Sequence, residues 1–136
     1  MSGLVIDTSI TMAWCFEDES TDETEALLDR VVREGAVVPQ LWTHEISNVL
    51  LVAERRGRVT EAQSARITSL LSQLPIRISL DAPSPAEQLA LARNHGLTSY
   101  DAAYLWLAEL LGLPLATLDE DLASAARAAG VETLPS

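Results

Sequence analysis

The chain contains no lysine; all nine of its basic residues are arginines. Two kinds of chemistry are excluded with it. A Walker-type phosphate loop needs its lysine on the phosphates, and Schiff-base catalysis needs a lysine amine. Cysteine is nearly as scarce. The single Cys15 has no partner for an internal disulfide, which agrees with a reducing compartment. One cysteine and two separated histidines also give no zinc-ligand spacing. No apolar run is long enough to span a bilayer. The opening residues, MSGLVIDTSI, lack a basic n-region and carry an acid early. They do not read as a signal peptide, and a cytoplasmic location is the expectation. Positive charge is short overall, with 20 acids against 9 bases and a net charge of −11. Passive, sequence-blind nucleic-acid binding rests on many Lys/Arg–phosphate contacts, and this balance argues against it. A nuclease is still allowed, because a bound divalent cation inverts the sign of an acidic pocket.

What is present suits a folded domain. Hydrophobic residues make up 48% and charged residues 21% of 136 positions, enough for one domain, taken as 1–136, with a sizeable core. Leu4-Val5-Ile6 reads as a buried strand that stops at Asp7. A short helix over 10–16 follows, with Thr8 or Ser9 able to cap it. Ser20 and Glu23 suggest a capping box for a helix over 26–34, ended by Gly35. Further strands are predicted at 36–39, 76–80, 113–118 and 131–134. Helices are predicted at 41–55, at 60–74 behind Thr60, after the Ser84 cap and Pro85, at 100–111 and at 119–129. Strands alternating with helices, joined by connections too long for hairpins, predict an α/β fold. Its parallel sheet of four to five strands is flanked by helices on both faces.

In such a fold each helix starts near the carboxyl edge of the preceding strand, where ligands bind. Acids recur there. Asp7 ends the first strand, Glu45 is placed in the first turn of its helix, Asp101 in the first turn of another, and Asp119 ends the fourth strand, with Asp121 two residues on. Singly, an acid at a helix start is explained as a cap, worth roughly 0.3–1 kcal/mol. Together, carboxylates converging on one edge repel one another, and no arginine adjoins any of the four in sequence. A hard divalent cation resolves the conflict, and carboxylate oxygens suit Mg²⁺ or Mn²⁺. Carboxylate-held ions of this kind serve phosphodiester hydrolysis by activating water and clamping the phosphate. Ser9, Thr8 and Thr117 are hydroxyls near enough in sequence to assist.

The segments LVIDTSI, the Glu of HEISNVL, TSYDAAYLWLA and LATLDEDL, in that order, resemble the PIN-domain ribonucleases, above all the VapC-type toxins of type II toxin–antitoxin pairs. The likeness covers almost the whole chain, and the Y-D-A-A-Y and T-L-D segments are its most specific parts. It implies a Mg²⁺- or Mn²⁺-dependent endoribonuclease with Asp7, Glu45, Asp101 and Asp119 as the acidic, metal-holding site. Asp121 matches an additional acid of some members, and Ser9 and Thr117 match hydroxyl positions. It also implies a homodimer and a cognate antitoxin protein as partner, with RNA as substrate.

Other residues have weaker claims. Asn48, one turn from Glu45, is a candidate to position it or the substrate. His44 and His95 read as surface positions, since metal-activated water lessens the need for a histidine base. Trp14, Trp42 and Trp106 read as core or interface. Arg55, Arg56 and Arg58 cluster after one helix and offer either an RNA contact or a complement to the helix dipole. Two alternatives compete with the nuclease. A non-catalytic PIN-like module for RNA or protein calls for a degraded acidic set. A haloacid-dehalogenase-like phosphatase calls for D-x-D at the first strand and a later lysine, whereas the chain has Asp7-Thr8-Ser9 and no lysine.

Overall fold

Three apolar residues after Gly3 begin the fold. In the computed structural model, which describes residues 3–136, strand β1 (Leu4–Ile6) is buried throughout. So is β2 (Ala36–Val38). Side chains alternate between the faces of a strand. Full burial of all three β1 residues therefore means that both faces of the sheet are covered. β3 (Ile76–Ile78), β4 (Leu115–Ala116) and β5 (Thr133–Leu134) complete it. The order is β3-β2-β1-β4-β5, and every neighbouring pair is parallel. The chain winds outward from β1 to β3, then returns to β4 on the other side of β1. The β1–β4 boundary is thus the point where strand order reverses, the place where open α/β sheets form a crevice at their carboxyl edge.

Among the described residues, seven helices connect the strands: α1 (Thr8–Cys15), α2 (Asp22–Glu34), α3 (Leu41–Arg55), α4 (Glu61–Ser72), α5 (Pro85–His95), α6 (Ser99–Leu111) and α7 (Glu120–Ala128). A 3₁₀ turn, Glu17–Glu19, follows α1. The core joins Leu4, Ile6, Ile10, Leu105, Leu115 and Leu122, all fully buried. Helix α6 packs against β1 and β4 and pairs with α5. Gly112 ends it with φ at 66°, the left-handed conformation that glycine adopts without a Cβ clash. None of the described helices is long and apolar enough to cross a membrane.

The structure corrects several element boundaries. Helix α1 starts two residues before the expected Ile10. The cap of α2 is Thr21, not Ser20: Thr21 accepts from the Thr24 N–H, while Thr24 Oγ1 accepts from the Thr21 N–H. Ser20 donates instead to Glu25 at 2.7 Å. The third strand ends at Ile78, and Leu80, expected inside it, is 85% exposed. This is an edge strand, with β2 its one neighbour, so little holds the chain extended beyond the last shared bond, Ser79 N–H to Val38 C=O at 2.8 Å. The fourth strand shrinks to Leu115–Ala116, although sheet bonds continue from Thr117 N–H to Leu134 C=O at 3.0 Å. The last shrinks to Thr133–Leu134.

Candidate active site

Asp7 leaves β1 and becomes the N-cap of α1. Its Oδ1 accepts from the Ile10 N–H at 3.1 Å and from Ser9 Oγ at 2.6 Å. Its Oδ2 accepts from the Thr117 hydroxyl at the end of β4. Thr8 and Ser9, the expected caps, serve other ends. Ser9 Oγ accepts from the Leu118 N–H at 2.9 Å and ties α1 to the β4–α7 loop. Asp7 is 5% exposed. Burial raises its carboxyl above the ordinary range, against the pull of hydrogen bonds from Ser9, Thr117 and Ile10, and the charge of Asp119 adds to the rise.

Asp119 is the N-cap of α7, accepting from the Leu122 N–H at 2.9 Å. Its own N–H is bound by Thr117 Oγ1 at 3.0 Å, so one threonine orients acids from both strands of the switch point. Asp121 is exposed in the first turn of α7.

Asp101 occupies the third position of α6, whose cap is Thr98: Oγ1 accepts the Asp101 N–H at 3.1 Å. In α2, α4 and α5 the third residue returns the bond and closes a reciprocal box. In α6 only the Thr98 half is made, so the carboxylate is not committed to its own helix. Half-buried, it is pushed up to about 6, first by burial and then by the charges of Asp119, Asp7, Glu45 and Asp121. Every charge acting on it belongs to another acid of the group predicted from sequence.

Glu45 does not stand in the first turn of its helix, where the sequence predicts it. It is the fifth residue of α3, beyond the first turn, so it caps nothing. Its carboxylate instead bridges to two other helices. Oε1 accepts from Thr8 Oγ1 at 2.8 Å and from the Tyr104 hydroxyl at 2.6 Å. Sequence reading passed over Tyr104, which is 1% exposed. The available signal was its place three residues after Asp101, on the same helix face. Burial, then the bond to Glu45, raise the Tyr104 hydroxyl, keeping it a donor.

Asn48 is exposed on α3. His44 is exposed and His95 lies at the end of α5. Trp14 and Trp42 turn their ring N–H groups inward, to Thr24 C=O at 2.7 Å and Thr11 Oγ1 at 3.0 Å. Within the arginine cluster, Arg58 is engaged by Asp18 and Glu19 at 2.9 and 3.0 Å and lies over the Phe16 ring.

The acids and the Thr8, Ser9, Thr117 and Tyr104 hydroxyls bonded to them offer carboxylate and hydroxyl oxygens, a set that suits a hard divalent cation. Among the described residues no three acidic, histidine or cysteine side chains are drawn together as a finished cage. The acids form a looser cluster, whose mutual repulsion opposes closer approach.

A family model described as the PIN domain matches residues 4–128, a span that holds all four acids. Ribonuclease VapC3 of Pyrobaculum aerophilum is 31% identical over 122 residues, 88% of this chain and 92% of that protein. Exonuclease VapC9 of the same organism is 38% identical over 104 residues, 75% of this chain and 76% of that one. The crystal structure of PAE2754 from Pyrobaculum aerophilum superposes with a TM-score of 0.73 at 27% identity, covering 98% of this chain and 90% of its own. That of FitAcB from Neisseria gonorrhoeae has a TM-score of 0.66 at 19% identity, covering 96% and 95%, a likeness of fold. The chain with these four acids at the switch point of a parallel five-stranded sheet belongs to the PIN-domain family.

Proposed function

We propose that this protein is a divalent-cation-dependent endoribonuclease and the toxin of a toxin–antitoxin pair; the names of its relatives, a ribonuclease and an exonuclease, support the nuclease part of that reading. One observation carries the reading. Thr117 hydrogen-bonds both Asp7 and Asp119, and Tyr104, on the helix that carries Asp101, hydrogen-bonds Glu45, so acids from four separate segments share one local field. Asp7, Glu45, Asp101 and Asp119 are the residues to hold Mg²⁺ or Mn²⁺, with Asp121 at the margin. Such an ion supplies Lewis acidity, activating water and neutralising the scissile phosphate. The chain's own contribution is orientation. Ser9, Thr117 and the Ile10 N–H fix Asp7, and Thr8 and Tyr104 fix Glu45. Fixed donors lose little freedom when the reacting groups arrive.

The test is cleavage of RNA by the purified protein, freed of any antitoxin. Cleavage with Mg²⁺ or Mn²⁺ is expected, with none in EDTA. Asp7→Asn should cut activity by at least about a hundredfold, the upper range for loss of a residue that only orients a metal ligand, while circular dichroism stays native. Undiminished cleavage by Asp7→Asn would sink the mechanism. A circular RNA substrate separates the endonuclease proposed here from an exonuclease, which leaves it intact. RNA with so acidic a protein implies a local contact surface, and Arg55 and Arg56 are the members of the arginine cluster proposed for it.

A further inference from the structure

Glu45 is oriented differently from the other site acids. Asp7 and Asp119 each cap the helix they precede, and Asp101 stands in a first turn. Glu45 lies in the second turn of α3, where backbone N–H groups are already bonded within the helix. Nothing in α3 itself aims its carboxylate. Two other helices do: Tyr104 of α6 and Thr8 of α1 both donate to Oε1, at 2.6 and 2.8 Å. Their hydroxyl oxygens are 3.2 Å apart. Either of these two oxygens could donate to the other, so both hydroxyls and Glu45 Oε1 form one close hydrogen-bonded group. Two charge-assisted bonds to one oxygen make that oxygen a pivot. A buried phenol usually finds some partner for its O–H. Here the partner is an acid of the site, and the phenol rides on the helix that carries Asp101.

We infer that Tyr104, with Thr8 as second donor, is a positioning residue: the two hydroxyls hold Glu45 through Oε1 and turn Oε2 toward a divalent cation. The inference rests on the proposed cation-holding role of the acids, so the experiment begins with the parent protein. Isothermal titration with Mn²⁺ should show binding; no binding by the folded parent would overturn both readings. Given binding, Tyr104→Phe, which keeps the ring in the core, should weaken Mn²⁺ affinity about tenfold, the lower range for residues that orient metal ligands. Thr8→Val should do the same. The double variant should lose more than the product of the two single losses, since either hydroxyl alone still holds Oε1. RNA cleavage at saturating Mn²⁺ should lose kcat with KM for RNA unchanged. Should Tyr104→Phe fail to fold by circular dichroism in EDTA, Thr8→Val, which retains the tyrosine, decides alone. Parent-like Mn²⁺ affinity in the folded variants would overturn the positioning role and leave the nuclease proposal standing.

Discussion

At the residue scale, Asp101 links charge to stability. Burial and the neighbouring acids raise its carboxyl from 3.8 to about 6. A raised carboxyl holds its proton in the folded chain at pH values where the unfolded chain has released it. In the metal-free protein, stability therefore falls as pH rises through that window. Asp101→Asn removes the charge. Thermal melts in EDTA should place this variant above the parent at about pH 7.5, with the gain nearly vanishing at about pH 4. Because Asp101 is only half-buried, solvent screening limits the gain to about 1 kcal/mol. An equal gain at both pH values would contradict an electrostatic origin. Asp7, Asp101 and Asp119 were legible in the sequence because each stands where a strand or loop passes into a helix, a local event. Tyr104 was not. Its partner Glu45 lies 59 residues away, and on an apolar helix face a tyrosine reads the same whether it fills the core or aims a carboxylate.

Among elements, α6 shows how a cap and a ligand are kept apart. The Thr98–Asp101 spacing predicts a capping box, but only Thr98 takes part. Thr98→Ala should cost about 1 kcal/mol in urea unfolding, the usual loss of an N-cap. It should also weaken Mn²⁺ binding by loosening the turn that carries Asp101. Unchanged stability would mean that packing alone fixes the start of α6. The same rules explain which boundaries were predicted and which were not. The Thr60 and Ser84 caps were legible because each finds its reciprocal residue three positions on. Adjacent Ser20 and Thr21 offered two competing caps, and the choice fell to Thr21, whose partner Thr24 is fully buried. Strand ends were overestimated at β3 and β4, since an apolar residue such as Leu80 continues the pattern after the neighbouring strand has stopped.

For the whole molecule, the central question is how a chain of net charge −11 gathers acids at one crevice. Its arginines do not all stand free to offset them: Arg30 pairs with Glu34, and Arg58 is bound to Asp18 and Glu19. A cation that binds the folded state and not the unfolded one stabilises by mass action. Mn²⁺ at a hundred times its Kd should add about 2.7 kcal/mol, seen as a higher melting temperature. Asp7→Asn should show little of that shift, while monovalent salt, which screens the general repulsion, should shift both proteins alike. A Mn²⁺ response of equal size in the variant would place the binding elsewhere.

The order of strands and helices, the apolar core and three of the four acids at helix starts followed from the sequence alone, because strand burial, helix periodicity and capping are settled by neighbours along the chain. The strand order that sets β1 beside β4, the second-turn position of Glu45 and its hydroxyl partners Thr8 and Tyr104 were decided only by the tertiary structure. These depend on which surfaces meet across the sheet, and side chains far apart in sequence acquire a shared field, and a shared hydrogen bond, only once packing brings them together.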